Sequence, residues 1–262
     1  MKPMNLLLHC GGVSIDRSEL NALDCPEATD THRPIPHGEF VNMVEDALGE
    51  QGLRVIAEAH GVTQTSKNTR ENGGGNYFGM FQVQGTNLQD KDHTTVVGMR
   101  NSHIKKLSAG VAIGSGVFVC DNLAFLGEHV AMRKHTKNIL DDDIGILPLI
   151  RETVEQVVSL SDAQERRFDT YKSQRLGKYD ADHLIVQMLR DEVITTQQLP
   201  KVVQQWDEPD HEEFARSFNG WRLFNAVTEA LKGTSPLALP RRTGGLHRLL
   251  DEFLGVDDQI AA

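Results

Sequence analysis

Two short segments each gather several side chains that could act on an anion: "MRNSHIKK", Met99 to Lys106, and "MRKHTKN", Met132 to Asn138. Arg100, Lys105, Lys106, Arg133, Lys134 and Lys137 supply positive charge; Asn101, Ser102, His103, His135 and Thr136 supply amide, hydroxyl and imidazole groups. Charge-assisted hydrogen bonds from such groups are the usual means of holding phosphate oxygens. A chain of net charge −10 is a poor partner for a polyanion as a whole, yet residues 91–140 carry seven basic and three acidic side chains. That window is +4 and leaves −14 elsewhere, an asymmetry expected of a surface for a charged partner. These eleven residues form the candidate nucleic-acid-binding set, against the plainer reading of two solvated basic segments.

Between the two segments lies "SAGVAIGSGVFVCDNLAF", Ser108 to Phe125. Cys120 with His129 or His135 could make a nucleophile and its base, but a cysteine on an apolar strand is usually a small buried hydrophobe. Gly114-Ser115-Gly116 reads as a hairpin turn, because a strand and not a helix follows it, which excludes a phosphate-binding loop. Asp141, Asp142 and Asp143 are placed to cap the helix that follows rather than to bind a metal. Cys10, Cys25 and Cys120 are too scattered for a disulfide framework or a zinc site. No cofactor motif is present, so neither a cofactor nor a metal is expected.

The elements that must position these residues follow from apolar spacing. Pro34 and Pro36 hold "HRPIPH" extended, and Phe40, Met43, Val44, Ala47 and Leu48 then mark one face of a helix from Glu39. Segments from Leu53, Asn76, His93, Leu107 and Val117 read as strands and suggest an antiparallel meander. From about residue 128 the pattern turns helical: "HVAMRKHTKNIL", a long helix through residues 141–176, then further helices in the remainder. The expected class is α+β: an amphipathic helix, an antiparallel β-meander, then a helical C-terminal half. Residues 1–36 are an irregular lead-in, 37–140 an α+β core and 141–262 a helical region packing on or extending it. Of Tyr77, Phe78, Phe81, Phe118 and Phe125, one or two could stack bases, while most must be core. No apolar run is long enough to cross a bilayer, and "MKPMNLLLHCGG" is too weakly apolar for a signal peptide, so a cytoplasmic location and no membrane partner are expected.

"PIPHGEFVNMVEDAL", "TTVVGMRNSHIKKLSAGVAIGSGVFVCDNLAF", "RKHT" and "WRLFNAVTEAL" together resemble the domain-of-unknown-function 932 family of phage and plasmid proteins, over roughly residues 33–232. The resemblance implies a mobile-element origin in a bacterial host and no particular chemistry. In order of elements alone, the chain is similar to phage single-strand annealing proteins of the Redβ/RecT class. That likeness implies a cofactor-free homo-oligomer holding single-stranded DNA in a basic groove. The expected function is thus an accessory protein that binds single-stranded DNA. The alternatives are a factor that counters a host system through its acidic C-terminal half, and a Cys-His enzyme.

Overall fold

Strands that are apolar on alternate sides leave two sticky faces, and both must be covered. A computed structural model describes residues 12–63, 74–84, 93–117, 123–235 and 237–256. Strands β1 (Val13–Ile15), β2 (Arg54–Val62), β3 (Asn76–Gln84), β4 (His93–Ser102), β5 (Ala109–Val117) and β6 (Leu123–Arg133) form one antiparallel sheet in strict chain order. Tyr77, Phe81, Val83, Val97, Met99, Val111 and Ile113 point to one face. There they meet Phe40, Val44 and Leu48 of helix α2 (His37–Glu50) and Ile146, Ile150 and Val154 of α3 (Ile146–Glu155). A short helix α1 (Arg17–Asn21), closed by an Asp16 capping box, adds Leu20 to that layer.

Phe78, Met80, Val96 and Ala112 point the other way, into a core built by the C-terminal helices. These are α4 (Val157–Ser173), α5 (Lys178–Arg190), α6 (Leu199–Asp207), α7 (Glu212–Ala215), α8 (Gly220–Ala230) and α9 (Leu239–Leu254). Helix α8 is buried nearly all round; its Trp221 and Phe224 pack with Phe168 of α4. The chain is therefore α+β, with the sheet between two helical layers, and among the described residues no helix is long and apolar enough to cross a membrane.

Several local expectations are overturned. Gly114-Ser115-Gly116 is not a turn: β5 runs straight through it, with Ser115 opposite Thr95 on one side and Ala124 on the other. Residues 129–133 continue β6 rather than start a helix, because pairing along β5 outweighs their weak helical pattern, while the strand expected through Phe125 is present. The long helix breaks into α3 and α4 at Gln156. Asp141 does not cap α3, whose N-cap is Gly145; its carboxylate instead accepts the backbone N–H groups of Asp143 and Ile144 at 3.1 Å each. Residues 12–36 are more than a lead-in, since they contribute β1, α1 and the buried Leu20 and Ile35.

Candidate functional site

An antiparallel meander returns every second connection to the same end of the sheet. The loop after β4 and the segment after β6 therefore emerge side by side, two strand spacings or roughly 10 Å apart. The first carries Lys105 and Lys106, the second Lys134 and Thr136, and together they wall a cleft of about 430 Å³. Its lining is completed by Leu107, Ser108, His135 and, from the N-terminal segment, Thr31 and His32. That segment is clipped in place by the Arg33 N–H, which donates to the His135 carbonyl at 3.1 Å. Among the described residues no carboxylate lines the cleft.

Beneath it the histidines are wired by one amide. Asn101, fully buried, donates through Nδ2 to the Ile35 carbonyl (2.8 Å) and to His37 Nδ1 (3.0 Å). Its Oδ1 accepts from the Ser102 N–H (2.9 Å) and from His135 Nε2 (2.6 Å). The Ile35 carbonyl and the Ser102 N–H fix which end of the amide is which, so His135 carries its proton on Nε2 and His37 accepts on Nδ1. His103 donates from Nε2 to the same Ile35 carbonyl (2.8 Å) and stacks flat on His37, ring centroids 3.7 Å apart. Burial, with the nearby His32 and His103, pushes the His135 pKa down to about 4 despite a backbone hydrogen bond at Leu107. At neutral pH this ring is an uncharged strut.

Farther along the same face, Tyr77 stacks on His37 and its hydroxyl meets His60 Nδ1 at 2.8 Å. His60 Nε2 lies 3.2 Å from the Glu58 carboxylate, which only accepts, so the Tyr77 hydroxyl donates to Nδ1. Gly79 makes room for this arrangement, because a Cβ there would sit 1.8 Å from the Tyr77 hydroxyl. Burial raises the Tyr77 pKa well above its usual value and lowers that of His60.

The expected site residues thus divide. Lys105, Lys106, Lys134, His135 and Thr136 line the cleft. Asn101, Ser102 and His103 do not reach it; they are buried and spent on internal hydrogen bonds that hold it. Ser102 Oγ donates to Asn76 Oδ1 and accepts the Ile104 and Lys106 N–H groups, gripping the loop in which Lys105 has a left-handed backbone (φ 60°). That conformation costs an L-residue with a Cβ about 1–2 kcal/mol. Arg133 and Lys137 lie outside the lining, and the Arg100 guanidinium crosses Gly110 to donate to Met132 Sδ at 2.6 Å. Tyr77, Phe78 and Phe81 are core side chains and not base-stacking platforms; Phe118 and Cys120 fall outside the described residues.

Sequence reasoning missed Thr31, His32, His37, Ile35 and Ser108. Histidines on both sides of two prolines in "HRPIPH" were the available signal, since an extended segment can lay its side chains along a neighbouring edge. Cys25, the free cysteine among the described residues, is partly buried, and burial beside Glu39 pushes its thiol pKa up, away from nucleophilic character. Among the described residues no group of three or more His, Cys, Asp or Glu side chains could hold a metal ion. No family model matches the chain, and neither does any curated protein or solved structure.

Proposed function

We propose that this protein binds single-stranded nucleic acid, DNA in the first instance, through the cleft between the 103–108 loop and residues 134–136. The observation that carries the reading is convergence: two basic segments almost thirty residues apart meet in one cleft with three lysines and, among the described residues, no carboxylate. A cleft of about 430 Å³ is of small-molecule size, which is room for a short stretch of one strand's backbone. Phosphate contacts of this kind position a strand without reading its bases. The mobile-element origin and the self-association belong to the same proposal and rest on the family and topological resemblances of the sequence.

Fluorescence anisotropy with labelled single- and double-stranded oligonucleotides at two salt concentrations tests it. The single strand is expected to bind at low salt and to weaken as salt rises. Lys105→Ala with Lys134→Ala should lower the slope of log affinity against log salt by about 1.4, because two phosphates are no longer neutralised. No binding at low salt, or binding untouched by the double variant, overturns the reading.

A further inference from the structure

Proteins that hold a single strand commonly stack its bases on aromatic rings, and the rings of the sheet are unsuited to this, since Tyr77, Phe78 and Phe81 are buried. Two other rings are open. Tyr179, at the start of α5, is 89% exposed, and Phe218, in the link from α7 to α8, is 49% exposed. Hydrogen bonds tie the link between α4 and α5 to the link between α7 and α8. The Leu176 N–H donates to the Phe218 carbonyl (3.0 Å), the Gly220 N–H to the Gln174 carbonyl (3.2 Å), and Asn219 Nδ2 to the Lys172 carbonyl (2.9 Å). Tyr179 follows Leu176 by three residues, so at most roughly 11 Å of backbone separates it from that junction.

Phe218 is held as a platform. The Arg222 guanidinium lies over its ring, 4.0 Å from the centroid, and Trp206 packs against it in a T-shaped contact at 5.4 Å. Arg222 is itself fixed, donating to the carbonyls of Trp206 (2.8 Å), Asp207 (3.0 Å) and Ala215 (3.2 Å). The ring is thus gripped from within while half of its surface stays open, and a ring fixed in advance loses little freedom when a base stacks on it. Cations flank both rings along the chain. Arg175, Lys178 and Arg216 are exposed, and Lys172 is half-buried over the Trp221 ring at 5.3 Å. Residues 170–179 and 214–222 include no Asp or Glu. Asp180, which follows the first stretch, is turned onto the Gly177 N–H (3.0 Å), and Asp169 lies 3.9 Å from Lys172. A lone exposed aromatic is ordinary on any surface. Two of them among four cations, in a chain of net charge −10, suit an anion that carries flat apolar rings.

We infer that this surface is a second contact for single-stranded nucleic acid, with Tyr179 and Phe218 stacking bases and Lys172, Arg175, Lys178 and Arg216 holding phosphates. The inference rests on the nucleic-acid reading above but names a different surface, one that touches bases where the cleft touches phosphate. The test uses the full chain and two single strands of equal length, one normal and one abasic, in fluorescence anisotropy at one low salt concentration. The wild-type chain is expected to bind the normal strand about tenfold tighter or more, since a single stacked base is worth roughly that factor. Tyr179→Ala should weaken binding of the normal strand about tenfold, and Tyr179→Trp should keep it. At 89% exposure Tyr179 touches too little of the protein for its loss to threaten the fold. A strand with 5-iodouracil in place of thymine should photocrosslink to Tyr179 or Phe218, located by mass spectrometry of the peptides. Equal affinity for the normal and abasic strands, or crosslinks confined to residues 103–108 and 134–136, overturns the inference and leaves the cleft reading standing. A base preference with crosslinks at Tyr179 or Phe218, unchanged by Lys105→Ala with Lys134→Ala, upholds the inference and overturns the cleft. Self-association that Tyr179→Ala abolishes, without binding of any strand, gives the surface to a second copy of the chain and overturns both.

Discussion

Two buried polar networks sit on opposite faces of the sheet, and they treat charge in opposite ways. Under the cleft, Asn101 bonds His37 and His135, His103 stacks on His37, and burial keeps the His135 ring uncharged at neutral pH. Between α4 and α9, Arg167 pairs with Asp251 at 3.1 Å, and Asp251 also accepts from the Tyr171 hydroxyl at 2.6 Å. There Arg167 donates to Gln164 (2.7 Å), and both Tyr171 and Gln164 reach His247. The second network is sealed among Phe168, Trp221 and Phe224, so its charges compensate each other and serve packing. The first ends at an open cleft where His135 is uncharged, leaving the lysines of the rim to face whatever enters.

The largest test of that contrast is Asp251→Ala. It strands the Arg167 guanidinium in a low-dielectric interior, and breaking such a pair typically costs about 3–5 kcal/mol. A urea titration should show the midpoint fall accordingly, while oligonucleotide affinity per folded molecule stays unchanged. A loss of affinity there would make the sealed network part of the site.

Asn101→Ala comes next. Removing the hub leaves the Ile35 carbonyl with His103 alone and takes the side-chain partner from the Ser102 N–H and His135 Nε2, at about 1–3 kcal/mol for a buried group left unpaired. Unlike the first variant it should also weaken oligonucleotide binding, because His135 and the 103–108 loop lose their anchor. Intact binding in the folded fraction would show that the network and the cleft are independent.

Acidification acts most gradually, its effect being spread over the pH scale. His135 has a folded-state pKa of about 4, below its unfolded value near 6.5, so between those values the unfolded chain holds more protons. Stability is complete above pH 6.5 and is lost as pH falls toward 4, at no more than about 1.4 kcal/mol per pH unit for this one group. His247, whose pKa burial also lowers, adds a slope of the same sign from the sealed network. His135→Gln keeps a donor for Asn101 Oδ1 and should flatten part of the slope measured by denaturation at pH 7, 6 and 5; an unchanged slope would refute the neutral-strut role.

How far the sequence reached differs by element. The meander and α2 were legible, since a period of two along "NYFGMFQVQ" and of 3.6 along "EFVNMVEDAL" follow directly from which faces are buried. Gly114-Ser115-Gly116 misled because glycine suits a turn as well as the middle of a strand, and only pairing on both sides distinguishes them. In "RNSH" the polar side chains looked available for phosphate, whereas the alternation that faces Asn101 inward, beside Tyr77 and α2, gives that residue to the scaffold.

Composition and spacing by themselves determined the α+β class, the order of elements and the concentration of positive charge in one window, because these are local properties of the chain. Tertiary structure alone decided that Lys105, Lys106 and Lys134 share a cleft, that His32 completes it and that Asn101, Ser102 and His103 stand behind it. The reason is strand direction and register: they set which loops meet at one end of the sheet and which side chains point into it, and neither is written in any single segment.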